Sequence, residues 1–225
     1  MAEKEYDKIS LPHLIVCEGL DAKLFMIYLL QPLIKSNPLF EQFQVIEPGG
    51  NDDLRLFIKT LPNLPNFDTV KSITIVRDAE NNSEGSNQSV QTLLKNAGFI
   101  VPDAPCVVAL PTEDVYSVKV GYALFPKLNS HEVNGTLEDL CLNTLANPDK
   151  DIILEIVDNA MKLYQKRFTC FKRPHKNRLH TYLSLSDDFV GMKIGQSAQA
   201  NAFDFSASMF EPLYIMLSSM LEEQS

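Results

Sequence analysis

The sequence is short of positive charge, has no long apolar run and shows no patterned cysteine, and each shortage removes a class of protein. Twenty Lys and Arg stand against 29 Asp and Glu, a net charge of -9. That balance excludes a generally basic surface that coats nucleic acid, so any polyanion must be met by a local basic patch. The longest apolar stretch, Leu24–Ile34, is interrupted by Gln31 and Pro32 and is far too short to span a bilayer. Cys17, Cys106, Cys141 and Cys170 have neither CxxC pairing nor metal-ligand spacing, and the charged opening Met1–Ile9 does not read as a signal peptide. The expectation is a cytoplasmic protein with free thiols and no membrane partner. A G-x-S-x-G elbow is absent, and His175 and His180 lack the i, i+4 spacing of a zinc pair, so both are expected at the surface.

What the chain does have is a regular succession of short β-rich runs and amphipathic segments. Strands are expected at 13–17, 43–47 and 70–77, and helices from Asp21 to about Lys35, from Asn51 and around Ser89–Ala97. Asn51 is a plausible N-cap, and Asn81–Asn87 reads as a polar loop. Further strands are expected at Cys106–Leu110 and Lys119–Phe125, then a loop and helix at Gly135–Leu145 and a long helix at Asp149–Phe168. The fold class is therefore α/β, an open, mostly parallel sheet flanked by helices with a helical C-terminal appendage. A soft boundary near Pro148 divides a core at 1–148 from a mainly helical region at 149–225 packed on it.

Carboxylates follow directly on the apolar runs: Glu18 and Asp21 after the first, Asp78 and Glu80 after the third. Ligands of open α/β sheets gather at the carboxyl ends of parallel strands. Hard oxygen donors there suit Mg²⁺ or Mn²⁺, which bind through a few carboxylates and keep several waters. Solvated strand-end acids are the bland alternative.

Glu18-Gly19 after strand one, Gly49-Gly50 after strand two and Asp78-Ala79-Glu80 after strand three, in that order, resemble the Toprim fold. This is the catalytic module of bacterial primases, topoisomerases and overcoming-lysogenization-defect nucleases. Gly135–Leu140 and Phe203-Asp204-Phe205 are more closely similar to an uncharacterised bacterial Toprim-related family, over most of the chain. The resemblance implies a compact α/β core with Mg²⁺-dependent phosphoryl-transfer chemistry. The second acid of the third motif is Glu80, where the family pattern has Asp, and its longer reach bears on where a metal sits.

On this reading Glu18 is the general acid or base, with Asp78 and Glu80 as metal ligands. Asp21 either orients a ligand or caps the first helix. Gly49 and Gly50 either cradle a phosphate at a helix start or form a tight turn. Glu138 resembles the acid that supplies a second metal site in the nuclease branch, or is an ordinary helix-start acid. From Lys162 to Arg178 the chain carries seven Lys and Arg and no acid, including Lys172, Arg173, Lys176 and Arg178. This is either a phosphate track with Phe168, Phe171 and Tyr182 for base stacking, or a solvated, charge-balancing face. Lys176 is the candidate for steadying transition-state charge. The expected activity is a metal-dependent nuclease on DNA or RNA. The alternative is a non-catalytic module that binds a nucleotide or a partner ATPase, and neither reading excludes a homodimer.

Overall fold

The structure is a computed structural model and describes residues 8–112, 116–168 and 170–222. Most of the charged opening discussed above, residues 1–7, lies outside the described residues. Four β-branched or aromatic runs form parallel strands: β1 (His13–Cys17), β2 (Phe43–Ile46), β3 (Ser72–Asp78) and β4 (Lys119–Phe125). Their order in the sheet is β2-β1-β3-β4. β1 and β4 are buried at every position, as expected for strands covered on both faces.

Strand alternation sends side chains to two cores. Leu14, Val16, Ile73, Ile75 and Tyr122 meet Leu54, Phe57 and Ile58 of α2 (Asn51–Thr60) and Val90 and Leu94 of α3 (Ser83–Asn96). Ile15, Cys17, Val76 and Ala123 meet Phe25, Met26 and Leu29 of α1 (Leu20–Ser36) on the other face. That second core continues through α4 (Leu137–Asn143), α5 (Lys150–Arg167), α6 (Pro174–Leu185), α7 (Ile194–Gln199) and α8 (Glu211–Leu221). Val157, Leu179, Leu213 and Met216 belong to the same buried cluster as Phe25, so the helices after residue 149 complete one covering of the sheet. Two glycines permit close approaches between elements distant in the sequence. A Cβ on Gly121 of β4 would come within 2.7 Å of Met216 Sδ and Met220 Cε, and one on Gly195 of α7 within 2.5 Å of Leu24 on α1.

Three local expectations are corrected. Cys106–Leu110 is not a strand, because only an isolated bridge joins Ala109 to Val120 and Cys106 has a left-handed φ of 59°. The polar segment read as a loop holds the first turns of α3. Asn82 caps that helix by accepting from the Gly85 N–H at 2.9 Å, and Ser86 Oγ donates to the Ala79 carbonyl at 3.0 Å. The N-caps of α1 and α2 are Gly19 and Gly50, with no side-chain cap, in place of Asp21 and Asn51. No described helix is long and apolar enough to cross a membrane.

Candidate active site

Sheet register assembles the site. Cys17 pairs with Val76 and Asp78 with Phe125, so Glu18, just past β1, runs alongside Arg77. Its N–H donates to the Val76 carbonyl at 3.1 Å. The helices following β1 and β3 lie on opposite faces, and open α/β sheets leave their ligand crevice where the covering changes sides. A cleft of about 240 Å³ opens there, lined by Glu18, Asp21, Arg77, Asp78, Glu138 and Lys176 among others.

Burial governs its chemistry. Asp78 Oδ1 accepts the Leu137 N–H at 2.8 Å, which caps the start of α4. Desolvation nevertheless pushes the Asp78 carboxyl up to about 7, opposed by that hydrogen bond and reinforced by Glu138, Glu18 and Glu80. Glu18 is also raised by burial, against the pull of Arg77. Arg77 Nε lies 3.1 Å from Glu18 Oε2, yet neither atom has an aligned hydrogen-bond partner. Glu138 is 3% exposed, with Oε1 3.2 Å from Lys176 Nζ. Below them, burial pushes the Cys141 thiol up, and Glu138, Asp21, Asp78 and Asp139 add to the push.

The family model described as Protein of unknown function (DUF3226) matches residues 12–222. The chain belongs to the DUF3226 family. Neither a curated protein nor a solved structure matches it. The match runs from before β1 to the end of α8, so the sheet, the cleft and the C-terminal helices of this DUF3226 chain fall within one family unit.

Of the residues singled out in the sequence, Glu18, Asp21, Asp78, Glu138 and Lys176 line the cleft. Glu80 does not. β3 ends at Asp78, and Glu80 is exposed with a left-handed φ of 57°, its N–H and carbonyl bridged to Gly135 at 2.8 Å each. Strand alternation therefore stops before it could carry Glu80 to the side of Asp78. Gly49 and Gly50 also lie outside the lining. Gly49 is a turn glycine at φ 131° under the Asp53 side chain, and Asp52 and Asp53 already supply negative charge to the first turn of α2. Lys172 and Arg173 are exposed ahead of α6. Arg178 is engaged, donating to both carboxylate oxygens of Asp158 at 2.7 and 2.9 Å.

Sequence reasoning missed Arg77, whose signal was a charged residue inside a run otherwise fit for burial and hence in need of a partner. It also missed His175, whose Nδ1 lies 2.7 Å from Asp139 Oδ1. That contact ties α6 to the capping box in which Asp139 accepts the Thr136 N–H.

Among the described residues no three His, Cys, Asp or Glu side chains stand close enough to enclose an ion by themselves. The donor set of this DUF3226 chain still fits a magnesium-like ion, which uses one or two carboxylates and retains waters. Hard oxygens face one cleft, Glu18 Oε2 is buried without a hydrogen-bond donor, and two of the acids are held toward their protonated forms.

Proposed function

We propose that this cleft is a Toprim-type divalent-metal site and that the protein is a Mg²⁺- or Mn²⁺-dependent nuclease acting on DNA or RNA. The observation that carries the reading is the convergence of Glu18, Asp78 and Glu138 on one cleft at the ends of β1 and β3. Burial there raises the carboxyls of Glu18 and Asp78, an expensive arrangement that clusters at functional sites.

Asp78 and Glu138 would hold the ion, with Asp21 beside them, and Glu80 is left out of the ligand set because it does not line the cleft. A bound divalent ion supplies Lewis-acid polarisation of the phosphoryl oxygens and a more acidic water. Glu18 exchanges the proton, since its raised proton affinity brings it nearer the working range of a general base. Arg77 fixes the position of that carboxylate. Lys176, nearly half exposed, can leave Glu138 to meet charge developing on the phosphate. We assign the flanking phosphates to Lys172 and Arg173, which are exposed and lie just ahead of Lys176.

The test is cleavage of labelled DNA and RNA with Mn²⁺ by wild type and by Glu18→Gln. The proposal expects slow cleavage that is lost, about 100-fold or more, in the variant. A second reading, a non-catalytic module for a nucleotide or a partner ATPase, is favoured by one observation. Glu18 and Glu138 already have Arg77 and Lys176 as counter-charges. Binding of a labelled nucleotide by a wild type that cleaves neither DNA nor RNA selects it.

A further inference from the structure

Helix α5 is poorly covered for its length. Of its 18 residues only Val157 is buried, while Ile153, Leu154 and Met161 pack partly against the core. On the opposite side Ile152, Ile156 and Leu163 are 63%, 54% and 61% exposed. With exposed Asn159 between them, they recur at steps of four, three and four residues, the spacing of a coiled-coil seam. The pair Arg178–Asp158 anchors α5 to α6, so the face is held in place without a partner.

We propose that α5 is a dimerisation helix that packs antiparallel against α5 of a second copy of this chain, across a two-fold axis near Asn159. The charges along α5 are complementary to themselves. Asp151 and Glu155 lie on one flank of the seam in the first half of the helix, and Lys162 and Lys166 continue the same flank in the second. Reversing the helix about the point between Asp158 and Asn159 sets Glu155 against Lys162 of the other copy and Asp151 against Lys166. Both pairs share that one centre. In nearly the same register Ile156 faces Leu163, Ile152 faces the alkyl stems of Lys166 and Arg167, and the two Asn159 amides meet at the axis, where a polar residue fixes register. A parallel pair would instead set Lys162 against Arg167. An isologous interface needs a patch complementary to itself, and a second copy meets that need by construction.

Two helices about 27 Å long make a modest interface, so the dimer is concentration-dependent. The inference does not rest on the metal cleft, which α5 does not line. It assigns Lys162 and Lys166 to protein pairing in place of the nucleic-acid track.

Sedimentation velocity of the full chain at low salt, over a concentration series, tests it. The weight-average mass should rise from 25.3 kDa toward twice that value. Glu155→Lys and Lys162→Glu should each weaken association roughly tenfold or more, because each reversal sets like charges together on both sides of the axis. An equimolar mixture of the two variants should regain association, as should the Glu155→Lys, Lys162→Glu double variant. Unchanged thermal melts of these surface variants would show that the fold is intact. A wild type that stays monomeric, single reversals without effect, or a mixture that fails to associate would each overturn the proposal. So would a Lys162→Glu variant of unchanged mass that instead loses affinity for a labelled oligonucleotide.

Discussion

Arg77 Nε and Glu18 Oε2 stand 3.1 Å apart at the ends of neighbouring strands, their side chains 6% and 20% exposed. The pair is coulombic, since neither atom has an aligned hydrogen bond. Removing the cation leaves a largely buried carboxylate without its partner. Arg77→Met is expected to lower unfolding free energy by about 3 kcal/mol at pH 8. The loss should shrink as pH falls toward 4.5, the ordinary glutamate value above which burial raises Glu18, because the carboxyl then takes up a proton. Urea melts at the two pH values check this, and a pH-independent loss would assign the effect to packing.

Asp78 should make the protein less stable as pH rises. Its carboxyl is held at about 7 against an ordinary value of 3.8, so between these values the folded chain binds a proton that the unfolded chain has released. Stability therefore falls through that window. Asp78→Asn keeps an acceptor for the Leu137 N–H and removes the charge. It should match wild type near pH 4 and exceed it by about 1–3 kcal/mol at pH 8, as read from denaturant midpoints. Equal stability at pH 8 would contradict the burial argument.

His13 acts in the opposite direction. It is 3% exposed, its Nδ1 lies 2.8 Å from Ser72 Oγ, and burial, with Lys71 and Lys119, lowers it from 6.5 to about 4. The unfolded chain protonates first, so this contribution is complete above 6.5 and is lost as pH falls toward 4. The two slopes oppose each other in wild type. His13→Gln should expose the Asp78 slope, and Asp78→Asn should expose the acid-side loss due to His13, in stability profiles from pH 4 to 8.

Packing of the C-terminal helices gives a test independent of charge. Gly121→Val on β4 meets Met216 and Met220 of α8 and should cost about 1–3 kcal/mol. Gly50→Ala, where a Cβ meets nothing within 4 Å, should lose only the N-cap preference for Gly over Ala, roughly 0.5–1 kcal/mol, and lower the melting temperature less.

Local pattern made the sheet legible. Leu14–Cys17 and Ile73–Val76 are buried on both faces and read as such, and their strand-end acids Glu18 and Asp78 do line one cleft. What period and propensity cannot carry is where a strand stops and what packs on it from afar. Glu80 reads as a companion of Asp78 only while alternation holds, and a left-handed residue ends it. The start of α3 was hidden because its Ser and Asn residues, usual in loops, here cap the helix and bond back to the strand end. Arg77 with Glu18 and His175 with Asp139 are separated by 59 and 36 residues, and only the fold brings them together.

The central claim is that a divalent ion binds between the ends of β1 and β3, and Mn²⁺ titration followed by thermal unfolding measures it most directly. Wild type should gain melting temperature with rising Mn²⁺, as linkage requires of an ion that binds only the folded state. Asp78→Asn and Glu138→Gln should lose that gain, whereas Glu80→Gln, outside the cleft, should keep it. A wild type whose melting temperature ignores Mn²⁺, or a gain abolished by Glu80→Gln and kept by Asp78→Asn, would contradict the account.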